Sequence, residues 1–192
     1  SGKSSLLYLL GLLDRPTEGC VLVDGQDTTD MSENELCALR LCRLGFVFQF
    51  HFLLAEFTVL ENVMVPMHKL ALWPLNERQE RAKTILDELG LAGHMQKHPS
   101  GLSGGERQRA AIARAMANNP AVILADEPTG NLDTKNSHTV HDIFRRLARD
   151  HKTSVVMVTH DLDLAANTDR NIHLIDGCVH TDSMYGVKLS SL

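Results

Sequence analysis

The sequence lacks an apolar run long enough to span a membrane, and it lacks any excess of basic residues. Its longest apolar stretch, Leu6 to Leu13, is interrupted by Gly11 and is shorter than the ~18 to 20 residues that a spanning helix needs. The 19 lysines and arginines are outnumbered by 24 aspartates and glutamates, so the net charge is −5. Without a basic field we expect no nucleic-acid partner, and we expect membrane contact only through another protein.

Cysteine-based structure is also lacking. None of the four cysteines belongs to a Cys-x-x-Cys pair or to a group with histidines at metal-ligand spacing, so we expect free thiols in a reducing cytoplasm.

The sequence has no initiating methionine and no strand before Ser1, and we expect it to be a fragment truncated at its N-terminus. The 192 residues are 43% hydrophobic and 22% charged, which is enough for one globular core.

Short apolar runs alternate with a helical pattern along the chain. Residues 45–49, 121–125 and 154–159 are rich in valine, isoleucine, leucine or phenylalanine and are typical of buried strands. Residues 137–150 carry apolar side chains at helical spacing, and a last strand is expected near 172–175. Strand, helix and strand in this order predict an α/β fold with a parallel sheet.

A helical segment interrupts this pattern. Residues 50–119 include an amphipathic stretch with Asn76 as its expected N-cap and Gln79 three positions later. A further helix is expected to begin at Ser103, where Ser-x-x-Glu is a capping box, and to stop before Pro120. We therefore predict a single domain made of a core (residues 1–49 and 120–177), a helical insert (50–119) and a C-terminal tail (178–192).

The first residues, Ser1-Gly2-Lys3-Ser4, match the last four positions of the phosphate-binding loop GxxxxGK(S/T). In such a loop, backbone N–H groups at a helix N-terminus surround phosphate oxygens. Lys3 is expected to reach the β and γ phosphates of a nucleotide, and Ser4 is expected to ligate Mg²⁺. The first half of the motif is absent, so a plain serine and glycine loop is the alternative on these residues alone.

An acidic pair, Asp126-Glu127, follows the apolar run of residues 121–125. Ligands bind at the carboxyl ends of strands in open parallel sheets, and the run has the form of a Walker B element. Asp126 is expected to hold Mg²⁺, and Glu127 is expected to orient or deprotonate an attacking water. Because Pro128 and Gly130 are turn residues, a solvated turn is the alternative.

Two adjacent glycines lie directly inside the predicted helix start at Leu102-Ser103-Gly104-Gly105-Glu106. Glycine destabilises a helix, so we expect this pair only where something approaches the backbone closely. The free N–H groups and the helix dipole favour an anion at this place. An ordinary capping box with a glycine-rich entry is the alternative.

The order of these motifs resembles that of the ABC ATPase family, from the start of the chain to Gly177. The resemblance implies a P-loop NTPase fold of the RecA-like type with an α-helical subdomain, and it implies ATP and Mg²⁺ as ligands. It gives catalytic roles to Gln49, Glu127 and His160, of which the last follows the strand at residues 154–159. It assigns nucleotide binding to Ser1, Gly2, Lys3, Ser4, Ser5 and Asp133, and magnesium binding to Ser4, Gln49 and Asp126.

In this family the signature motif of one subunit, here residues 102–106, completes the ATP site of another subunit. The resemblance therefore implies that Ser103, Gly104 and Gly105 contact the nucleotide of a second ATP-binding subunit. It identifies residues 131–133 as the D-loop of the family. It also implies transmembrane permease subunits as partners, with this chain at the cytoplasmic face of the inner membrane.

Within the family, residues 49–54, 60–63 and 125–133 most resemble the ATP-binding subunits of bacterial lipoprotein-releasing systems. Ala55 and Ser5 depart from that pattern, in which proline and threonine are expected. The ATPases of macrolide exporters and of cell-division systems share much of the same pattern and are the alternatives. A non-transport ABC ATPase would carry a long coiled-coil insert or a second cassette, and a P-loop kinase or GTPase needs no signature motif.

Overall fold

The structure, a computed structural model, describes residues 2–184. In chain order its strands are β1 (Leu22–Val23), β2 (Gln26–Asp27), β3 (Leu44–Phe48), β4 (Val122–Asp126), β5 (Ser154–Val158), β6 (Arg170–Ile175) and β7 (Cys178–Met184). Its helices are α1 (Lys3–Leu10), α2 (Glu33–Arg43), α3 (Val59–Leu70), α4 (Leu75–Glu88), α5 (Gly104–Met116), α6 (Thr134–Asp150) and α7 (Leu162–Ala165). Two short 3-10 turns lie at Ala92–His94 and Pro99–Gly101.

Three parallel strands form the central sheet in the order β3-β4-β5. The pairing register places Phe48, Asp126 and Val158 side by side, so all three strands end at the same edge of the sheet. The predicted α/β fold with a parallel sheet is confirmed, and each strand boundary lies within one residue of the predicted one. Residues that follow these strands are therefore gathered at one edge.

Helices cover both faces of this sheet. Leu124 of β4 lies against the end of α1, whereas its neighbour Ile123 lies near the backbone of Ala115 in α5. Successive residues of a strand point to opposite faces, so α1 and α5 enclose β4 from the two sides. Helix α6 connects β4 to β5 as predicted, and its buried side chains are Val140, Ile143, Phe144 and Leu147.

The segment of residues 50–119 is helical, as expected from its sequence, and contains α3, α4 and α5. The capping box predicted for Ser103 and Glu106 is present at the start of α5. The predicted N-cap at Asn76 is wrong, because α4 begins at Leu75, two residues before the predicted start, and Asn76 lies within its first turn. Pro74 takes the N-cap position instead, since its ring fixes the φ angle at −63° and the helix starts directly after it.

A single hydrophobic cluster joins these helices to the sheet. Its fully buried members include Val47 and Ile123 of the sheet, Val63 of α3, Leu86 of α4 and Ile112 of α5. Helix α5 contacts β3 as well as α3 and α4, so it links the helical segment to the sheet. The division into a core and a helical subdomain stays a prediction.

Strands β6 and β7 form a separate antiparallel hairpin. Its two-residue turn consists of Asp176 and Gly177, whose φ angles of 47° and 80° are both left-handed, as this hairpin turn requires. The sequence analysis assigned residues 178–192 to a tail, but residues 178–184 form β7, and residues 185–192 lie outside the described part. No helix in the described part is long and apolar enough to cross a bilayer.

Candidate active site

The N-terminus of α1 has no side-chain cap. Gly2, the residue before the helix, has a φ of 81°, a left-handed conformation that favours glycine. No acidic residue lies in the first turn, so the N–H groups of α1 and the ammonium of Lys3 form a positive end that suits a phosphate. Ser4 is half-buried, Ser5 is exposed, and Ser1 lies outside the described residues.

Ser4 and Asp126 come together although 122 positions separate them in the sequence. The Ser4 hydroxyl donates a hydrogen bond of 3.0 Å to Oδ1 of Asp126. Ser4 reaches this place because α1 packs against β4, whose last residue is Asp126. Hard oxygen ligands, including one carboxylate, are what Mg²⁺ takes beside a nucleotide, so the pair fits the predicted magnesium site.

Glu127 turns away from β4 in a strained conformation. Its φ is 46°, in the left-handed region that residues other than glycine rarely adopt. Its N–H donates to the Val158 carbonyl at 2.9 Å, and its Oε2 lies 2.9 Å from Nδ1 of His160. The glutamate side chain is 20% exposed and the histidine is 76% exposed. The structure thus brings the side chains of two predicted catalytic residues to within 2.9 Å of each other.

Gln49, directly after β3, contacts the D-loop. Its Nε2 donates to Oδ1 of Asn131 at 3.2 Å. Glycine at position 130 leaves room for this amide, because a Cβ there would lie 2.9 Å from Nε2 of Gln49. Among residues 2–184, no hydrogen bond joins Gln49 to Ser4 or Asp126, and its magnesium contact stays a prediction.

The signature motif forms the start of α5. The Ser103 hydroxyl accepts from the Glu106 N–H at 3.3 Å, and the Glu106 carboxylate accepts from the Ser103 N–H at 2.7 Å. The bonds to Ser103, and then the charges of His94 and Arg109, hold the pKa of Glu106 below its ordinary value. Ser103 is exposed. Within the described part of the chain, no hydrogen bond or ion pair joins this motif to Ser4, Asp126 or Glu127.

The D-loop ends at Asp133, which caps α6. One carboxylate oxygen accepts from the Asn136 N–H at 2.8 Å, and the other accepts from the Asn136 side-chain amide at 2.8 Å. These bonds from Asn136 lower the pKa of Asp133. Asn136 was not among the predicted site residues. The spacing Asp-x-x-Asn resembles that of a capping box and is the signal that could have identified it.

The segment that follows Gln49, residues 50–57, is held by α5. Arg114 donates to the carbonyls of His51 at 2.9 Å and of Phe52 at 2.6 Å. Arg114 is largely buried, and burial lowers its pKa. Its partners are backbone carbonyls, which no sequence motif reveals. The segment exposes four apolar side chains, between 41% and 65% of each: Phe50, Phe52, Leu54 and Phe57.

One sheet edge therefore holds an open helix N-terminus, a hydrogen-bonded serine and aspartate, and a glutamate whose carboxylate lies 2.9 Å from a histidine ring. Together with the fold, these groups define a nucleoside triphosphate hydrolase of the P-loop class. The family model described as ABC transporter matches residues 1–130, and the chain belongs to this family as an ATP-binding and ATP-hydrolysing cassette.

Curated relatives and solved structures agree with this assignment. The lipoprotein-releasing system ATP-binding protein LolD of Aquifex aeolicus is 53% identical over 179 residues, which cover 93% of this chain and 79% of that protein. The protein of the same name from Bacteroides fragilis is 50% identical over 177 residues, which cover 92% and 82%. The ATP-binding cassette MJ0796, solved as a dimer in a post-hydrolysis state bound to ADP and Pi, matches with a TM-score of 0.87 and 40% identity. That match covers 95% of this chain and 80% of the solved chain.

Proposed function

We propose that this chain is the ATP-hydrolysing subunit of a system that releases lipoproteins from the inner membrane. The observation that carries this proposal is its identity of 46% to 53%, over at least 92% of its length, to proteins named as ATP-binding proteins of lipoprotein-releasing systems. In this function the chain acts at the cytoplasmic face of the membrane and contacts the membrane only through permease subunits.

Hydrolysis is proposed to take place at the sheet edge described above. Ser1, Gly2, Lys3, Ser4 and Ser5 bind the phosphates of ATP, as residues at an open helix N-terminus can. Ser4, Asp126 and Gln49 hold Mg²⁺, which neutralises phosphate charge when bound. Glu127 takes a proton from the attacking water, and His160, 2.9 Å from its carboxylate, holds that side chain in place and donates to the terminal phosphate.

A second copy of the chain is proposed to complete each ATP site. Ser103, Gly104 and Gly105 offer a hydroxyl and free N–H groups at the positive end of α5, and Asp133 contributes from the D-loop. A lone phosphate-binding helix leaves the terminal phosphate in water, whereas a second helix N-terminus opposite it adds preorganised stabilisation. Two solved structures of the cassette MJ0796, which has a similar fold, are dimeric, and this supports the arrangement.

Residues 50–57 are proposed to dock the permease subunits. Their four exposed apolar side chains form a patch of the kind that marks protein interfaces. One end of the segment is joined through Gln49 to the D-loop, and its middle is joined through Arg114 to α5. A movement of the membrane helices against this patch can therefore reach both the hydrolytic edge and the signature motif.

Release of a labelled lipoprotein from proteoliposomes tests this function. The full-length protein is reconstituted with its permease subunits, and ATP is expected to release the lipoprotein into solution with an acceptor present. The complex carrying Glu127→Gln is the matched control, and it is expected to bind ATP without releasing cargo. ATP-dependent efflux of a macrolide without any lipoprotein release would overturn the proposal in favour of the exporter-type system.

A further inference from the structure

Asn136, in the first turn of α6, is bonded to the D-loop through two of its groups. Its backbone N–H donates to Oδ1 of Asp133, and its side-chain Nδ2 donates to Oδ2, each at 2.8 Å. A helix N-cap needs only the backbone N–H, so the cap by itself places no demand on the side chain at position 136. N-capping of α6 therefore does not account for the hydrogen bond that the Asn136 side chain makes.

The other side of the same amide lies against the signature motif. A Cβ built on Gly105 would lie 2.1 Å from Oδ1 of Asn136 and 2.5 Å from its Cγ. At Gly104 the nearest atom to such a Cβ would be Cδ2 of Leu132, at an ordinary contact distance of 3.7 Å. The Asn136 side chain therefore leaves no room for a Cβ at position 105. A Cβ at position 104 would fit without a clash.

We propose that Asn136 is a positioning residue that fixes the signature motif to the D-loop. Its amide spans from the Asp133 carboxylate to Gly105, two residues after Ser103, and so it holds the N–H groups of the first turn of α5 in a set direction. The two motifs then move as one unit when the chain meets a second copy. This inference rests on the proposed function, in which the signature motif serves the nucleotide of that copy.

The contact itself is tested, in the nucleotide-free protein, by hydrogen exchange of the amides of Glu106 and Arg107, which donate to the hydroxyl and the carbonyl of Ser103. Asn136→Asp replaces the hydrogen bond between Asn136 and Asp133 by two carboxylates that repel each other. Exchange of these amides is expected to become about tenfold faster. The double variant Asp133→Asn, Asn136→Asp exchanges donor and acceptor and is expected to restore the original rate to within about twofold. Asn76→Asp, in the first turn of α4, is the matched control. Unchanged exchange in Asn136→Asp overturns the inference.

Substitutions that change the size of the side chains at positions 105 and 136 test the same contact. Gly105→Ala is expected to lower the thermal midpoint, because its methyl group would overlap the Asn136 amide. Adding Asn136→Gly is expected to raise the midpoint above that of Gly105→Ala, although glycine alone weakens α6. A double variant that is no more stable than Gly105→Ala would show that the added methyl group does not clash with Asn136, and this would overturn the inference.

Hydrolysis separates the inference from the function on which it rests. Asn136→Ala is expected to lower kcat about tenfold, with the ATP affinity of the single chain unchanged. Normal kcat in Asn136→Ala, with a loss in Ser103→Ala, overturns the positioning role and leaves the shared site standing. Normal kcat in both variants, with faster exchange in Asn136→Ala, overturns the shared site and leaves the contact standing.

Discussion

At the scale of single residues, two close pairs of side chains lie at the hydrolytic edge. Ser4 bonds to Asp126, and Glu127 lies in hydrogen-bond reach of His160. Glu127 holds a left-handed backbone conformation, which costs roughly 1 to 3 kcal/mol for a residue with a side chain. Strain of this kind is retained where the surrounding structure requires one placement of a side chain, and here the required placement is the carboxylate beside His160.

Replacing Glu127 by Gln is expected to lower ATP turnover by roughly 10² to 10⁴-fold, because the amide cannot accept the proton of water. The affinity of the single chain for ATP should stay within about twofold, since the backbone N–H and the phosphate-binding groups are untouched. Steady-state hydrolysis and equilibrium nucleotide binding measure the two effects. Glu77→Gln, on an exposed face of α4, is the control, and turnover close to that of this control in Glu127→Gln would remove the assigned role.

A second residue-scale prediction concerns pH. Burial, and then the charge of Arg107, hold the pKa of His51 below its ordinary value of 6.5, and contact with the backbone of Gly104 opposes this in part. The unfolded chain therefore binds a proton at His51 more readily than the folded chain. The stability that neutral His51 contributes is present above about pH 6.5 and is lost as the pH falls through that value toward the folded pKa.

Urea unfolding of the protein and of His51→Gln, at about pH 7.5 and about pH 5.5, measures this contribution. The free energy of unfolding is expected to fall less between the two pH values in His51→Gln, because glutamine does not titrate. His151→Gln, an exposed position after α6, controls for the loss of a histidine. An equal fall in the protein and in both variants would show that His51 does not carry the effect.

At the scale of elements, α5 links the signature motif to the proposed docking segment. Ser103 caps its first turn, and Arg114, ten residues into the helix, holds the carbonyls of residues 51 and 52. At a rise of ~1.5 Å per residue, the helix spans roughly 16 Å between these two positions. We therefore expect a displacement at residues 50–57 to be transmitted along this helix to Ser103.

The same segment is anchored from α3 by Asn62, whose side chain is fully buried. It accepts from the Leu54 N–H and donates to the carbonyls of Leu54, Phe57 and Thr58. Asn62→Ala removes the partner of the Leu54 N–H and of the Phe57 carbonyl and is expected to lower the free energy of unfolding by about 2 kcal/mol. Urea denaturation measures the change. Asn76→Ala, at an exposed site in α4, should stay within about 0.5 kcal/mol, and a similarly small loss in Asn62→Ala would contradict the anchoring.

At the scale of the whole molecule, the proposal requires two copies at the moment of hydrolysis. In a Glu127→Gln background, ATP is expected to convert the protein to dimers, because ATP that is bound and not hydrolysed keeps both signature motifs engaged. Adding Ser103→Ala is expected to prevent this conversion by removing the hydroxyl at the shared site. Sedimentation velocity with and without ATP measures the distribution.

A matched control separates the loss of a phosphate contact from the loss of a helix cap. Ser32 caps α2 through the same capping box, with Glu35, as Ser103 does with Glu106. Ser32→Ala and Ser103→Ala should each remove about 1 kcal/mol of stability. Only Ser103→Ala is expected to abolish ATP-dependent dimers, and equal dimer formation by the two variants would rule out the shared site.

The sequence by itself determined the class of protein and most of the elements. Strands appeared as apolar runs, and the start of α5 appeared as a capping box, because both signals involve residues close together in the chain. Local reasoning failed at Asn76, where the neighbouring Pro74 took the N-cap position. It also missed β7, whose exposed side chains give no apolar pattern and whose place is set by pairing with β6.

Only the tertiary structure decided which groups meet. The partners Ser4 and Asp126 are 122 residues apart, and Gln49 and Asn131 are 82 apart, so their contact depends on how α1 and the three strands pack. Packing also explains the two glycines of the signature motif, which the sequence presented as equivalent. Gly105 has no room for a side chain because α6 brings the Asn136 amide against it, while Gly104 has that room. Such a difference is a property of neighbouring helices and cannot be read along one chain.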